Sequence, residues 1–225
     1  MHEIKVTPEY DVIQQKYKLG LWVRNSASGV GTLTYVKQSD FRFGAVGHPI
    51  VDNSLGENFE VESGNIYKCS LLGIKKGEKN NPGEIRSSIN LSDDAIGFAD
   101  TNCKYGVYGN ILNKGFIDAD KTATLGGRLS VQLGDAKILC ALDNEGVKAY
   151  DIKIIKANKQ NDPDEKSMII KVTDKELLKK TGGIIQGMSG SPIIQNGKLV
   201  GAVTHVFLND PTRGYGVYVD WMLDN

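Results

Sequence analysis

The sequence predicts an all-β fold with one or two short helices, and three observations carry that prediction. Glycine is abundant, at 26 of 225 residues, while amphipathic patterns of helical period are few. Short runs rich in β-branched and aromatic residues alternate with turn signals. An Asn196-Gly197 pair between two apolar runs is a strong type I′ hairpin signal. The chain is long enough for one large β domain or for two small barrels sharing a core.

Taken in order, Leu19 to Val23 and Gly31 to Val36 read as strands joined by the Asn25-Ser26-Ala27-Ser28-Gly29 turn. Phe41 to Val46 is a strand leading into the turn that carries His48. Lys75 to Gly83 and Ala157 to Lys166 are polar loops. Between and beside them, Gly106 to Ile111, Arg128 to Leu133, Lys137 to Leu142 and Val147 to Ile155 read as strands, the last two joined by Asp143-Asn144-Glu145-Gly146. Thr173-Asp174-Lys175-Glu176 fits a capping box, followed by Leu177 and Leu178, with Gly182 as the stop. Trp221 to Leu223 opens a final helix. No internal repeat or low-complexity segment is present.

Composition excludes several classes. Twenty-seven basic and 27 acidic residues cancel, so no electrostatic footprint points to nucleic acid or an anionic membrane. No stretch reaches the ~18 apolar residues of a membrane span, and no signal peptide is visible, so the chain reads as cytosolic or as a soluble piece of an anchored protein. Cys69, Cys103 and Cys140 lack metal-type spacing and are odd in number, which favours buried thiols over a disulfide framework. Gly29-Val30-Gly31 lacks the full dinucleotide pattern, and the Glu57, Glu60 and Glu62 edge reads as solvated. No cluster has zinc or calcium spacing, so no metal or other cofactor is expected.

Chemistry concentrates at Gly187-Met188-Ser189-Gly190-Ser191-Pro192. A nucleophilic serine needs a tight, glycine-permitted turn that projects its hydroxyl while backbone N–H groups converge on one point. Ser189 fits that role, with the amides of Gly187 and Ser189 as oxyanion donors; the plain alternative is a Gly-Ser turn joining strands. Ser191 is the rival nucleophile, although Pro192 beside it favours a structural role. His48, in Phe43-Gly44-Ala45-Val46-Gly47-His48-Pro49-Ile50, ends a strand where a general base could meet the serine, and His2 sits at the terminus. His205 follows the hairpin, in Gly201-Ala202-Val203-Thr204-His205-Val206, as a specificity or structural histidine and the second candidate base. For the orienting acid, spacing places Asp93, Asp94 and Asp100 in a suitable window after His48 and favours Asp94 slightly over Asp174. Asp174 has its own ordinary explanation as an acid at the positive end of a helix dipole.

These motifs, together with Leu19 to Arg24, Gly29 to Thr34 and Asn209 to Gly216, stand in the same order as in the peptidase domain of the SpoIVB family of endospore-forming bacteria, which the chain resembles over nearly its whole length. The resemblance implies a chymotrypsin-like double β-barrel, roughly 15–120 and 121–225, and a serine endopeptidase of sporulation signalling. It implies catalytic residues at His48, Asp174 and Ser189, thereby preferring Asp174 to Asp94, and substrate contacts at Thr204, His205 and Val206. It also implies that the protein cleaves itself and a membrane-bound regulator in the space between forespore and mother-cell membranes, releasing an intramembrane protease that activates a late sigma factor. The family's membrane anchor and PDZ domain lie outside this chain. Two other readings remain at this point: a catalytically silent β-barrel that binds an extended peptide by strand addition, and a hydrolase of small esters, which the lack of a strand-to-helix serine elbow disfavours.

Overall fold

The structure, a computed structural model, describes residues 5–20, 28–52, 56–118 and 121–223. Strands β1 (Glu9–Asp11) and β2 (Lys16–Lys18) form a small hairpin. The first half of the chain then builds an antiparallel five-stranded sheet from β3 (Leu33–Val36), β4 (Arg42–Ala45), β5 (Gly64–Ile66), β8 (Gly97–Cys103) and β9 (Gly106–Ile111), in the order β3-β4-β9-β8-β5. Strands β6 (Cys69–Lys75) and β7 (Glu84–Ile89) form a separate hairpin. The second half contributes β10 (Thr124–Leu125), β11 (Gly134–Ala141), β12 (Val147–Ala157), β13 (Met168–Val172), β14 (Pro192–Gln195), β15 (Lys198–Phe207) and β16 (Asp210–Tyr218). Six of these close into a barrel, β15-β14-β11-β12-β13-β16, because β16 also pairs with β15.

The barrel closes because its strands alternate. Along β12, Tyr150, Ile152 and Ile154 face inward and are buried, while Asp151 and Lys153 face out. β11 supplies Ala136, Ile138 and Cys140, and β13 supplies Met168, Ile170 and Val172. Each fully buried aliphatic or methionine side chain contributes about 1.5–3 kcal/mol of transfer free energy, and closure removes the open edges that would otherwise pair with other chains. A smaller core of Phe43, Ala45, Ala99, Val107 and Ile111 holds the five-stranded sheet. Tyr35, on β3, bridges the halves by donating its hydroxyl to Met222 O at 2.8 Å.

Local signals of the sequence are realised with some changes. β14 and β15 are joined by the two residues Asn196 and Gly197, with φ of 53° and 75°, the values a type I′ turn requires. Helix α1 (Lys175–Thr181) ends at left-handed Gly182, but its N-cap is Asp174 rather than Thr173. Helix α2 (Val219–Leu223) buries Val219, Trp221 and Met222. The strand expected over Arg128 to Leu133 is instead a 3₁₀ turn at Arg128–Ser130. It is tied down by Arg128 N to Asp220 Oδ2 (2.8 Å), by Ser130 Oγ to Gly127 O (2.7 Å) and by the Arg128 guanidinium over Trp221. Strands β5 to β8 add to the strands named from the sequence, and β6 holds Cys69 in the strand-like surroundings expected of the cysteines. The strand at Leu19 to Val23 and its turn fall largely outside the described residues. Cys140 is buried, which pushes its thiol up to about 12, whereas Cys69 and Cys103 are only half-buried; none of the three is in a disulfide. No helix among the described residues is long and apolar enough to cross a membrane.

Candidate active site

The candidate site lies where the five-stranded sheet meets β15. After β4 the chain turns through Val46 and Gly47, and Gly47 packs so closely on Thr204, Val217 and Ala202 that a Cβ there would lie 3.1 Å from Thr204 Cγ2. This contact brings the half-buried His48 against β15, where its ring stacks on His205 with centroids 4.9 Å apart and planes tilted by 35°. His48 Nδ1 lies 2.8 Å from Pro49 O. A carbonyl oxygen only accepts, so Nδ1 carries the hydrogen, and in the neutral ring Nε2 is then the acceptor. That is the tautomer a general base needs.

Ser189 reaches the same place from the other half. The segment from Gly187 to Ser191 is anchored to the lead-in of β3: Thr32 N donates to Ser189 O (2.9 Å), Thr32 Oγ1 to Gly187 O (3.0 Å) and Thr34 Oγ1 to Gly190 O (2.7 Å). Gly190, at φ 92°, has no room for a side chain, since a Cβ would overlap Thr32 O and lie 2.5 Å from Val46 N. The hydroxyl of Ser189 donates to Thr204 O at 2.8 Å. Its single proton is therefore directed at Thr204, and transfer to His48 calls for rotation of the serine side chain.

The backbone of this loop is used selectively. Met188 N donates to Ile185 O, Gly190 N to Val203 O and Ser191 N to Met188 O. Among the described residues, Gly187 N and Ser189 N donate to no acceptor, so these two amides stand available for an external oxygen, the requirement for an oxyanion hole. Both are fixed from behind. A peptide is planar and trans, so holding its carbonyl aims its N–H the opposite way. Gln186 O accepts from Ile85 N (2.9 Å), which orients Gly187 N, and Met188 O accepts from Ser191 N (2.9 Å), which orients Ser189 N.

Thr204 and His205 sit where β15 bulges away from β16, the register passing from Val203↔Gly216 to Val206↔Gly214. Thr204 is buried, its carbonyl holding the serine hydroxyl, and His205 stacks on His48. Val206 is half-buried and packs toward the barrel core. Burial, and after it the neighbouring His48, holds the His205 imidazole below its ordinary value, and its Nδ1 is buried without a hydrogen-bond partner. Ser191 is fully buried, which suits a structural part.

Asp174 stands apart from this group. Its Oδ1 accepts from Leu177 N at 2.9 Å and its Oδ2 from Asp151 N at 3.3 Å, so the carboxylate caps α1 beside β12, while the group on His48 Nδ1 is the Pro49 carbonyl. This corrects the expected orienting contact. A carboxylate at a helix N-terminus, accepting backbone N–H groups, is already satisfied where it is. The alternatives do not fill the gap. Asp100 forms a two-pronged pair with Arg42 (3.0 and 3.1 Å), Asp93 accepts from Asn90 Nδ2, and Asp94 is exposed in the turn before β8.

Several supports of the site carried no signal in the sequence. The Pro49 carbonyl and Ile85 N are backbone atoms, invisible to any side-chain motif. Thr32 lies in one of the collinear motifs, and its pairing with a serine loop more than 150 residues away appears only in the fold. Asn102 donates to Ile50 O and Phe59 O and accepts from Ile50 N, bracing the turn after His48.

A closed six-stranded β-barrel, with Ser189 and His48 brought together beside β15, fits a serine peptidase built on β-strands. The profile of one family, SpoIVB peptidase S55, matches residues 15–223, and the chain belongs to that family. No curated protein sequence matches it. Similar solved structures include the inactive form of the Rv3671c protease, 15% identical with a TM-score of 0.39, covering 64% of this chain and 70% of that one. The active form of the Rv3671c protease from M. tuberculosis is 14% identical with a TM-score of 0.38, covering 67% and 76%.

Proposed function

We propose that this serine peptidase is an endopeptidase working through a Ser189–His48 pair. Ser189 Oγ attacks the scissile carbonyl carbon while its proton passes to His48 Nε2, and the oxyanion is held by the amides of Gly187 and Ser189. Collapse of the intermediate breaks the C–N bond, and His48 returns the proton to the leaving amine. Water then hydrolyses the acyl-enzyme by the same steps, with His48 as base. The Pro49 carbonyl accepts from His48 Nδ1 throughout, in the place a carboxylate often occupies. The substrate backbone lies along Thr204, His205 and Val206. The chemistry needs no cofactor.

The observation that carries this reading is the selective use of the loop amides, with those of Gly187 and Ser189 open while their neighbours are bonded. Membership of the SpoIVB family supports the finer role: cleavage of itself and of a membrane-bound sporulation regulator, between forespore and mother-cell membranes, in a full-length protein bearing an anchor and a PDZ domain. The rival reading, a silent peptide-binding barrel, draws on the serine hydroxyl being donated to Thr204 O rather than to His48. Cleavage of a panel of peptides by the wild-type chain and by Ser189→Ala separates the two. The proposal expects turnover that falls about 10³-fold or more in the variant with the melting temperature unchanged. Equal turnover in both would refute the serine assignment.

A further inference from the structure

We propose that the outer edge of β7 is a second substrate-binding edge, which takes by strand addition the flank of an extended polypeptide that β15 does not hold; this rests on the serine-peptidase reading of Ser189 and His48. Hydrogen-bond parity identifies the edge. In an antiparallel pair each residue points its N–H and C=O to the same side, and the side alternates along the strand. Leu71 of β6 gives both groups to Asn144: its N donates to Asn144 Oδ1 and its O accepts from Asn144 Nδ2, each at 3.0 Å. Leu71 therefore faces away from β7, and Ser87, its partner across the ladder, faces away from β6. The bulge in this ladder adds Leu72 to β6 and leaves β7 regular, so Gly83, Ile85, Ser87 and Ile89 all present their backbone to the outer edge.

The start of that edge is already used by the serine loop. Gln186 N donates to Gly83 O (3.0 Å) and Ile85 N to Gln186 O (2.9 Å), a parallel bridge with the geometry of an added strand. Ile85 also packs on the next residue, since a Cβ on Gly187 would lie 3.1 Å from Ile85 Cβ. Past this point the loop folds back, Met188 N donating to Ile185 O, while β7 runs on. Among the described residues, Ile85 O, Ser87 N, Ser87 O, Ile89 N and Ile89 O make no hydrogen bond, and Ser87 Oγ is buried without a partner. An unpaired sheet edge is normally blunted, because it pairs with any extended chain. Here Asn144 closes one edge of the hairpin, and the other stays open beside the amides of Gly187 and Ser189. A carbonyl held by those amides has β15 on the Ser189 side, through Thr204 O, and β7 on the Gly187 side. Main-chain bonds to both edges select a substrate by its extended backbone, so the substrate class is an unfolded stretch of polypeptide cut internally.

The test uses the intact chain and a cleaved peptide that extends several residues to both sides of its scissile bond. Each peptide amide beyond the residues that share that bond is methylated singly. In the wild type, kcat/KM is expected to fall about tenfold, from the lost hydrogen bond and the methyl at the edge, at alternate positions on both flanks. With β15 acting alone one flank is indifferent, and that result overturns the proposal without any variant. Ser87→Pro removes an outward N–H that the β6 ladder does not use and sets a ring on the edge, a change that edge strands admit. It is expected to lower kcat/KM of the full peptide at least about tenfold, chiefly through KM, and to abolish the methylation effect on one flank only. On a peptide cut short on that flank it is expected to match wild type, a split that general damage to the fold would not produce. Ser87→Ala, which keeps the edge, is expected to stay within about threefold of wild type. Ser87→Pro within about threefold of wild type on the full peptide, or equally impaired on full and shortened peptides, overturns the proposal. Ser189→Ala, run in parallel, separates the failures: if it is inactive while Ser87→Pro is unimpaired, only the β7 edge falls; if it turns over at the wild-type rate, the serine reading falls with it.

Discussion

Replacing Asp174 distinguishes a helix cap from a catalytic acid. Its Oδ1 accepts from Leu177 N at 2.9 Å, in the geometry of an N-cap, while the second bond, to Asp151 N at 3.3 Å, is longer and exposed. Loss of such a cap costs about 1 kcal/mol, with a range of about 0.5–2, and an exposed bond at 3.3 Å adds little. For a domain of this size that lowers the melting temperature by about 2–4 °C per kcal/mol. Asp174→Ala should therefore melt a few degrees lower, and Asp174→Asn, which keeps a capping oxygen, should melt close to wild type. Both should turn over peptide within about threefold of wild type when assayed well below the melting range. An acid that held the histidine would behave differently: substituting its amide costs about 10⁴-fold in kcat in a serine triad, equivalent to about 5.5 kcal/mol of barrier at 1.36 kcal/mol per decade. Peptide turnover and thermal melts of the two variants decide the matter. A kcat loss near 10⁴-fold in Asp174→Asn, with an unchanged melt, would refute the assignment of Asp174 to the helix and of His48 to the Pro49 carbonyl.

Three further outcomes are expected. Ile85→Pro removes the N–H that holds Gln186 O and so frees the Gly187 amide; kcat should fall about 10²-fold, the scale of losing one oxyanion donor, and retention of full kcat in a folded variant would count against that amide. Gly190→Ala puts a Cβ into Thr32 O at φ 92°; strain of about 1–2 kcal/mol, plus about 1 kcal/mol for the disturbed Thr34 hydrogen bond, should show as about 2–3 kcal/mol in denaturant titrations, together with lost turnover. His205 is held below the 6.5 of a free imidazole, first by burial and then by His48, with Lys166 adding to the depression and Glu165 opposing it. The folded state then binds fewer protons than the unfolded one, so the contribution is present above pH 6.5 and is lost as pH falls below it toward the folded value. His205→Gln should lose stability less steeply than wild type in that interval, and parallel pH–stability curves would show that His205 is not the group responsible.

What could be read from the sequence was local. The Asn196-Gly197 hairpin, the helix stop at Gly182 and the glycine-flanked Ser189 each follow from backbone conformations that few residues adopt. β9 stood out because Gly106 to Ile111 holds a compact apolar run. β7 and β8 did not, since Glu84–Ile89 and Gly97–Cys103 mix polar and apolar residues without a clean alternation. At the site, His48 and Ser189 were legible as residue types, but the group that holds His48 was not, because a backbone carbonyl leaves no mark in a sequence. Asp174 carried both of its signals in plain view, an acid ahead of the serine and an acid at a helix start. The family resemblance favoured the first, while the fold commits the carboxylate to the second.

The most direct measurement is the site of covalent capture by a fluorophosphonate, read by mass spectrometry on the wild-type chain and on His48→Ala. Modification of Ser189 in the wild type, abolished or slowed at least about 10²-fold without the base, is the predicted result. An adduct on Ser191 or another residue, or undiminished labelling of Ser189 in His48→Ala, would contradict a nucleophile at Ser189 activated by His48.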